Sequence, residues 1–564
     1  MSETQKKLLI KCGTVINHDC TYDADVLIEN GKIVNIAKNI EDSLAECIDA
    51  TGCFVLPGGV DAETNFAAKR GGIVSPENYF SGTKAAIYGG TTTVVNCLEI
   101  MKDESLKEKY EMEKDIISKE IVCNLAIQLC LPEVNEAIKS EFNELLQSKS
   151  VVPLVRLSTV DKGCHCVKID DEELYDALCW CRDNSVLPTV HAENDKMVAI
   201  LEKELLADGV TGPEGHYLSR PEKVEDEAVF RVLTIAEMVK CPIHFGKVYA
   251  KSSLDKIMDW QRKSSNTIIC GTSLVALVHN AEKYRDPNWK VAASFVTMPA
   301  LKMNKTTEFQ CTELLETVAS RKINHVASSH LVFDMKHKAS GRNDFRCIIP
   351  GTNGVQYRMK ILWDKAVKSG RMEPTSFVNC VSTTPAKLAN IYPHKGTISI
   401  GSDADIIVWK GDSVSHSNFE AGDINVFEDV ICHSGPKYVI VNGIVVLDHE
   451  GNFTASKGSG QIVSPSLETM NSYFQKQLIN YKLSHEVEKK IAREPYDGPV
   501  IDPSADNKEE KHVLYSHMVN NDVYKRGGPA EDKKEALPPG QRVIRTSVKT
   551  AQPPGGSAQA SWWG

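Results

Sequence analysis

From Pro57 to Tyr392 the chain alternates short apolar, β-branched runs with longer stretches that read as helices, and no other feature restricts its fold as much. Runs such as TTTVVNCLEI (Thr91–Ile100) and CPIHFGKV (Cys241–Val248) have strand length and strand composition. Stretches such as EDEAVFRVLTIAEMV (Glu225–Val239) separate them. This succession is the pattern of parallel βα units, and its length suits a (β/α)₈ barrel with insertions. The expected fold class is therefore α/β, with a TIM-like barrel over residues 57–392 as the main domain.

The flanks have a different texture. Before the barrel, KLLIKCGTVI and DVLIENGKIVNIA alternate apolar with polar residues and are broken by Asn30-Gly31; after it, PKYVIVNGIVVLDHEGNF repeats the texture around Asn442-Gly443. Asn-Gly between two such runs is a hairpin signal. Residues 1–56 and 393–463 are thus expected to build one small β-sandwich domain from both chain ends. Residues 464–494 read as a helical segment. Residues 495–564, rich in Pro, Gly, Ser and charge, read as a flexible regulatory tail.

Composition excludes several function classes. With 564 residues the chain can bury a core that needs no staples, and a formal net charge of -10 argues against a nucleic-acid surface. No run has membrane-spanning length, and the N-terminus lacks an apolar signal region. The 17 cysteines are scattered rather than framed, so reduced thiols, no disulfides and a cytoplasmic location are expected.

Five stretches carry a family resemblance: HAENDKM from His191, TGPEGHYLSRPEKVEDEAVFR from Thr211, IPGTNGVQYRM from Ile349, NIYPHKGTISIGSDADIIVW from Asn390 and PPGG from Pro553. They resemble the dihydropyrimidinases and, more closely, the collapsin response mediator proteins, also called dihydropyrimidinase-related proteins, a non-catalytic branch of the amidohydrolase superfamily. The similarity runs from Leu8 to Val500 and resumes at the end of the tail. Dihydropyrimidinases are binuclear zinc enzymes: two metal ions share a hydroxide that attacks a cyclic ureide, and an Asp shuttles the proton. The family's ligands are a His-x-His on the first barrel strand, a carboxylated Lys, two further His and that Asp.

Carried over position by position, the resemblance places Glu63 and Asn65 where the first two histidines would stand, Arg156 at the carboxylated lysine, and Lys247 at the last histidine. His191 is retained, and Ser329 takes the place of the Asp. The substrate-facing tyrosine corresponds to Asp161. Asn is a poor zinc ligand, and Arg cannot form a carbamate. His244, three residues before Lys247, is expected on the opposite strand face. Two fixed cations now surround one carboxylate. Unit charges near 4 Å interact by about 4 kcal/mol at an effective dielectric of 20, so two dications beside Arg156 and Lys247 would be repelled by several kcal/mol. Glu63 is expected to pair with Arg156, Lys247 or both, and the simplest reading is a buried charge cluster that fills the barrel mouth. No cofactor is expected.

Other motifs carry less. Ser329-His330 is no catalytic dyad if adjacent strand residues face opposite ways. Cys164, His165, Cys166, Cys179 and Cys181 lack the spacing of common structural zinc sites. Gly82-Thr83-Lys84 lacks the earlier glycine of a phosphate loop and is expected to open a barrel helix. In the tail, Thr546, Ser547 and Thr550 lie among Arg542, Arg545 and Lys549 and are candidate phosphosites, although no Ser-Pro or Thr-Pro occurs there. The resemblance implies a homotetramer or a heterotetramer with paralogues, which binds tubulin, other cytoskeletal and signalling proteins in axon guidance. A residual single-metal hydrolase using His191 and Glu63, or a non-catalytic small-molecule sensor, are the alternatives.

Overall fold

In the computed structural model, which describes residues 7–70, 72–102, 104–160, 168–303, 307–412, 422–466, 473–474 and 495–499, both Asn-Gly pairs form tight hairpin turns. Asn30 and Gly31 have φ of 53° and 76°, and Asn442 and Gly443 have φ of 50° and 77°. Two consecutive positive φ angles match the right-handed twist of the flanking strands and favour Asn followed by Gly. The two turn tips also pack on each other. A Cβ on Gly31 would stand 2.9 Å from the Asn442 carbonyl oxygen, so a side chain has no room there.

Both chain ends share one eight-stranded sheet. Ile406–Lys410 pairs antiparallel with Phe54–Pro57, which runs parallel to Lys7–Ile16. The sheet wraps its own apolar core, which includes Ile10, Val26, Val55, Ile406 and Ile440.

The barrel strands follow in chain order: β1 (Gly59–Thr64), β2 (Thr91–Glu99), β3 (Asn124–Cys130), β4 (Leu154–Ser158), β5 (Leu187–His191), β6 (Ile243–Phe245), β7 (Ile268–Ser273) and β8 (His325–Ala327). Each is hydrogen-bonded in parallel to the next. Beyond β8, His330 forms a parallel bridge with Thr64 and its carbonyl accepts from the Asn65 N–H (2.9 Å), bringing the last strand back to the first. Helices between the strands carry ordinary end signals. Asp171–Asp183 opens with an Asp170 capping box and three acidic residues in its first turn, where they favour the helix dipole.

Alternate strand residues separate two layers. Val155, Leu157, Val190, Ile243 and Phe245 join the apolar layer that also holds the helices. The intervening residues face the barrel interior, whose floor is an apolar plug of Val60, Leu154, Leu187 and Ile269 with Leu388 and Ile391. Polar side chains follow above that plug, toward the strand C-termini, where barrel enzymes keep their chemistry.

Two expectations need correction. Cys130 is disulfide-bonded, whereas the other described cysteines are free; scattered sequence spacing does not reveal which strand ends converge. His244 does not face away from the barrel interior. Its Nε2 lies 2.8 Å from His325 Nε2, and regular pairing of β6 ends at Phe245, so the pleat does not continue to Lys247. Both side chains reach inward.

No described helix is long and apolar enough to cross a membrane. The proposed tail from residue 500 onward, with the sites Thr546, Ser547 and Thr550, lies outside the described residues, as do Asp161, the Cys164-His165-Cys166 run and most of 464–494. Residues 495–499 fall in a separate unit, Glu488–Gly564.

Candidate functional site

At the mouth of the barrel, one carboxylate is shared by two cations. Glu63 Oε1 lies 2.9 Å from Lys247 Nζ and 3.3 Å from Arg156 Nη2. Arg156 Nη1 donates to Asn65 Oδ1 (3.3 Å), and Lys247 Nζ donates to Ser329 Oγ (2.8 Å). These five residues come from β1 and the residue that follows it, β4, the segment after β6 and the segment after β8. All are buried except Lys247, which is partly buried. Burial pushes the Lys247 ammonium below its ordinary value against the pull of Glu63, and Arg156 pushes it the same way.

His191 is bonded to a different carboxylate. Its Nε2–H donates to Glu193 Oε2 (2.7 Å), and it does not line the cavity at the mouth. Burial alone would raise the Glu193 carboxyl; the His191 hydrogen bond and charge, with Lys302 and Arg220, outweigh that and hold it well below the usual range. Lys302 Nζ lies 3.9 Å from Glu193 and 3.5 Å from Glu225. Sequence reading missed this second cluster because Glu193, Lys302 and Glu225 lie far apart in the chain and stand at no ligand position.

The Ser-His dyad is excluded by what each group already does. Ser329 Oγ accepts from Lys247, while His330 Nδ1 accepts from the Gly354 and Val355 amides (3.0 and 3.3 Å). His330 Nε2 is committed to the buried Glu77 carboxylate (2.9 Å). Cys179 and Cys181 are free thiols on the helix Asp171–Asp183. Gly82 sits inside the helix Tyr79–Tyr88 against Phe66, where a Cβ would stand 2.4 Å from the ring, so packing explains that glycine.

A further pair, also missed from sequence, completes the mouth. Arg70 makes an ion pair with Glu99 at the end of β2 and lines the same cavity as Glu63, Arg156, Lys247 and Ser329. That cavity holds about 50 Å³, room for a few waters.

The residues do not fit the binuclear zinc centre of the hydrolases. Metal sites of that kind need several anionic or neutral donors converging on one point. Here the carboxylate that could ligate, Glu63, is held by an ammonium and a guanidinium. Among the described residues, no group of three His, Cys, Asp or Glu side chains is placed to hold a metal ion. Nor is there a carboxylate at Ser329 to take a proton from water.

Comparison with known proteins agrees with the barrel fold. The amidohydrolase family profile matches residues 54–446. Dihydropyrimidinase-related protein 5 of Homo sapiens is 33% identical over 99% of this chain and 99% of its own length. The dihydropyrimidinase of Rattus norvegicus is 34% identical, but over 81% of this chain and 89% of its own. Among solved structures, the dihydropyrimidinase from Brevibacillus agri superposes with a TM-score of 0.77 at 30% identity, covering 82% of this chain and 99% of that one.

Proposed function

Because this chain belongs to the dihydropyrimidinase-related proteins of the amidohydrolase family, we propose that it is a catalytically inactive barrel, retained as a cytoplasmic scaffold for cytoskeletal and signalling proteins. The observation that carries this reading is Glu63, held by Lys247 and Arg156 in the space where a hydrolase of this family needs metal ligands. Hydrolysis of a cyclic ureide requires an activated water, an electrophile for the developing oxyanion and a proton acceptor. This mouth offers three cations, each facing a carboxylate, and a serine. Glu63, Asn65, Arg156, His191, Lys247 and Ser329 are accordingly positions of a lost metal site.

The reach of the similarity supports a role outside the pocket. The related protein aligns over 99% of this chain, and the hydrolase over 81%. The family resemblance supplies the partners: a homotetramer or heterotetramer with paralogues that binds tubulin in neuronal development and axon guidance. Its tail is modified at Thr546, Ser547 and Thr550, where added phosphate cancels the neighbouring positive charge. Co-sedimentation with microtubules tests this. The full chain is expected in the pellet, and a chain ending at residue 494, or one phosphorylated in the tail, is expected to pellet less. Equal recovery of all three forms in the supernatant would contradict the scaffold assignment.

A further inference from the structure

We propose that the barrel mouth binds the carboxylate head of a small organic acid, with the acid's apolar body in the adjoining outer cavity. This rests on the reading that no metal pair occupies the mouth. Charge is the first observation. Arg70, Arg156 and Lys247 line the inner cavity, and Glu63 is the one carboxylate lining it among the described residues. Glu99 answers Arg70 without lining the cavity, so among the described residues three cations meet two carboxylates. A surplus of one positive charge in a small, half-enclosed space is met by a monoanion.

Arg70 is the second observation. It is 8% exposed, one of its nitrogens is spent on Glu99, and its Nε and Nη1 find no acceptor among the described protein groups. Buried donors are normally satisfied; these two are closed off from the cavities as the side chain stands, and a small turn of the guanidinium, which lines both the inner cavity and the outer one, presents them to a ligand. Ser329 adds a third donor. Its Oγ accepts from Lys247, which leaves its O–H to give. Its φ of 53° is left-handed and non-glycine, a conformation that packed surroundings must impose.

Size and lining select the ligand's shape. The inner room of about 50 Å³ takes a planar head group and no ring. The outer cavity, about 710 Å³, meets the inner one at Arg70, Met298 and Pro350, and is lined by Ile73, Val198, Ile348 and Ile349. Arg220 and Arg346 stand at its wall, paired with Glu202 and Asp344. A neutral cyclic amide would satisfy none of the surplus charge; a carboxylate on a branched aliphatic body satisfies both cavities.

The test is calorimetric titration of the full-length protein with 4-methylpentanoate and with the isosteric neutral 4-methylpentanamide. The acid is expected to bind at least about tenfold more tightly than the amide. Arg70→Gln is expected to weaken acid binding about tenfold or more, and Glu63→Gln, which enlarges the positive surplus, to tighten it. Circular dichroism confirms that each variant is folded, and the two variants push in opposite directions, so a general loss of structure does not mimic the pattern. Equal affinity for acid and amide, no acid binding by the unmodified protein, or unchanged binding in both variants would overturn the assignment. Zinc content and turnover on the same sample separate the two claims. Stoichiometric zinc with turnover refutes the inactive-barrel reading, whereas a zinc-free, inactive protein blind to the acid refutes the pocket assignment alone.

Discussion

Two buried ionic clusters near the same barrel rim are near mirror images. At Glu63 one carboxylate serves two cations; at Lys302 one cation serves two carboxylates, Glu193 and Glu225. The anion-rich cluster lines neither cavity and draws on donors around it, although Glu193 Oε1 and Glu225 Oε2 face the Lys302 ammonium without a hydrogen bond. His191 gives a hydrogen bond to Glu193, the Tyr249 and Ala250 amides give theirs to Glu225 (3.2 and 3.1 Å), and Lys302 also donates to the Arg220 carbonyl (3.0 Å). The cation-rich cluster instead faces a cavity and includes an arginine with unspent donors. A charge surplus answered by neighbouring protein groups is structure; one that faces an opening is available to a ligand. That difference separates a buried pair kept for packing from one placed to bind.

Removing the central charge of each cluster breaks the comparison most directly. Lys302→Met takes the shared cation from two buried carboxylates, leaving Glu193 to His191 and Arg220 and Glu225 to two backbone amides, and is expected to lower the unfolding free energy by about 3–5 kcal/mol in urea titration. Glu63→Gln leaves two cations beside a cavity that water can enter, so a smaller loss, about 1–3 kcal/mol, is expected. The reverse order would show that the mouth is the closed cluster. The smallest effect concerns the layer beneath. Burial chiefly, with Arg358, lowers His325 from 6.5 to about 4, while Glu63 opposes the shift. The folded-state pKa is depressed, so the unfolded chain binds the proton more tightly. This stability is present above the unfolded value of 6.5 and is lost as the pH falls toward about 4. By about pH 5.5 the loss is about 1 kcal/mol, and His325→Gln should remove that slope in acid denaturation curves. An unchanged slope would mean that the His244–His325 pair carries no such load.

Sequence reading reached the parts of this molecule governed by local chemistry. Asn30-Gly31 and Asn442-Gly443 declare their turns because the backbone angles demand those residue types. The alternation of strand and helix declares the barrel because period and length suffice. The positions of Glu63, Arg156 and Lys247 were legible through family motifs at strand ends. Arg70, Glu99, Lys302 and Glu225 were not, since only the closed barrel brings their loops and helices together. His244 was misread because a strand rule was extended past Phe245, where the pairing stops. The bond at Cys130 was missed because spacing along the chain is silent about spacing in space.

The central claim is that fixed cations have taken the place of metal ions. Metal analysis of the purified full-length protein, paired with a dihydrouracil hydrolysis assay in zinc-supplemented buffer, tests it most directly. Substoichiometric zinc and no turnover above buffer are expected, with the Glu63→Gln protein behaving the same way. Zinc bound at one or two ions per chain, with hydrolysis that a chelator abolishes, would contradict it.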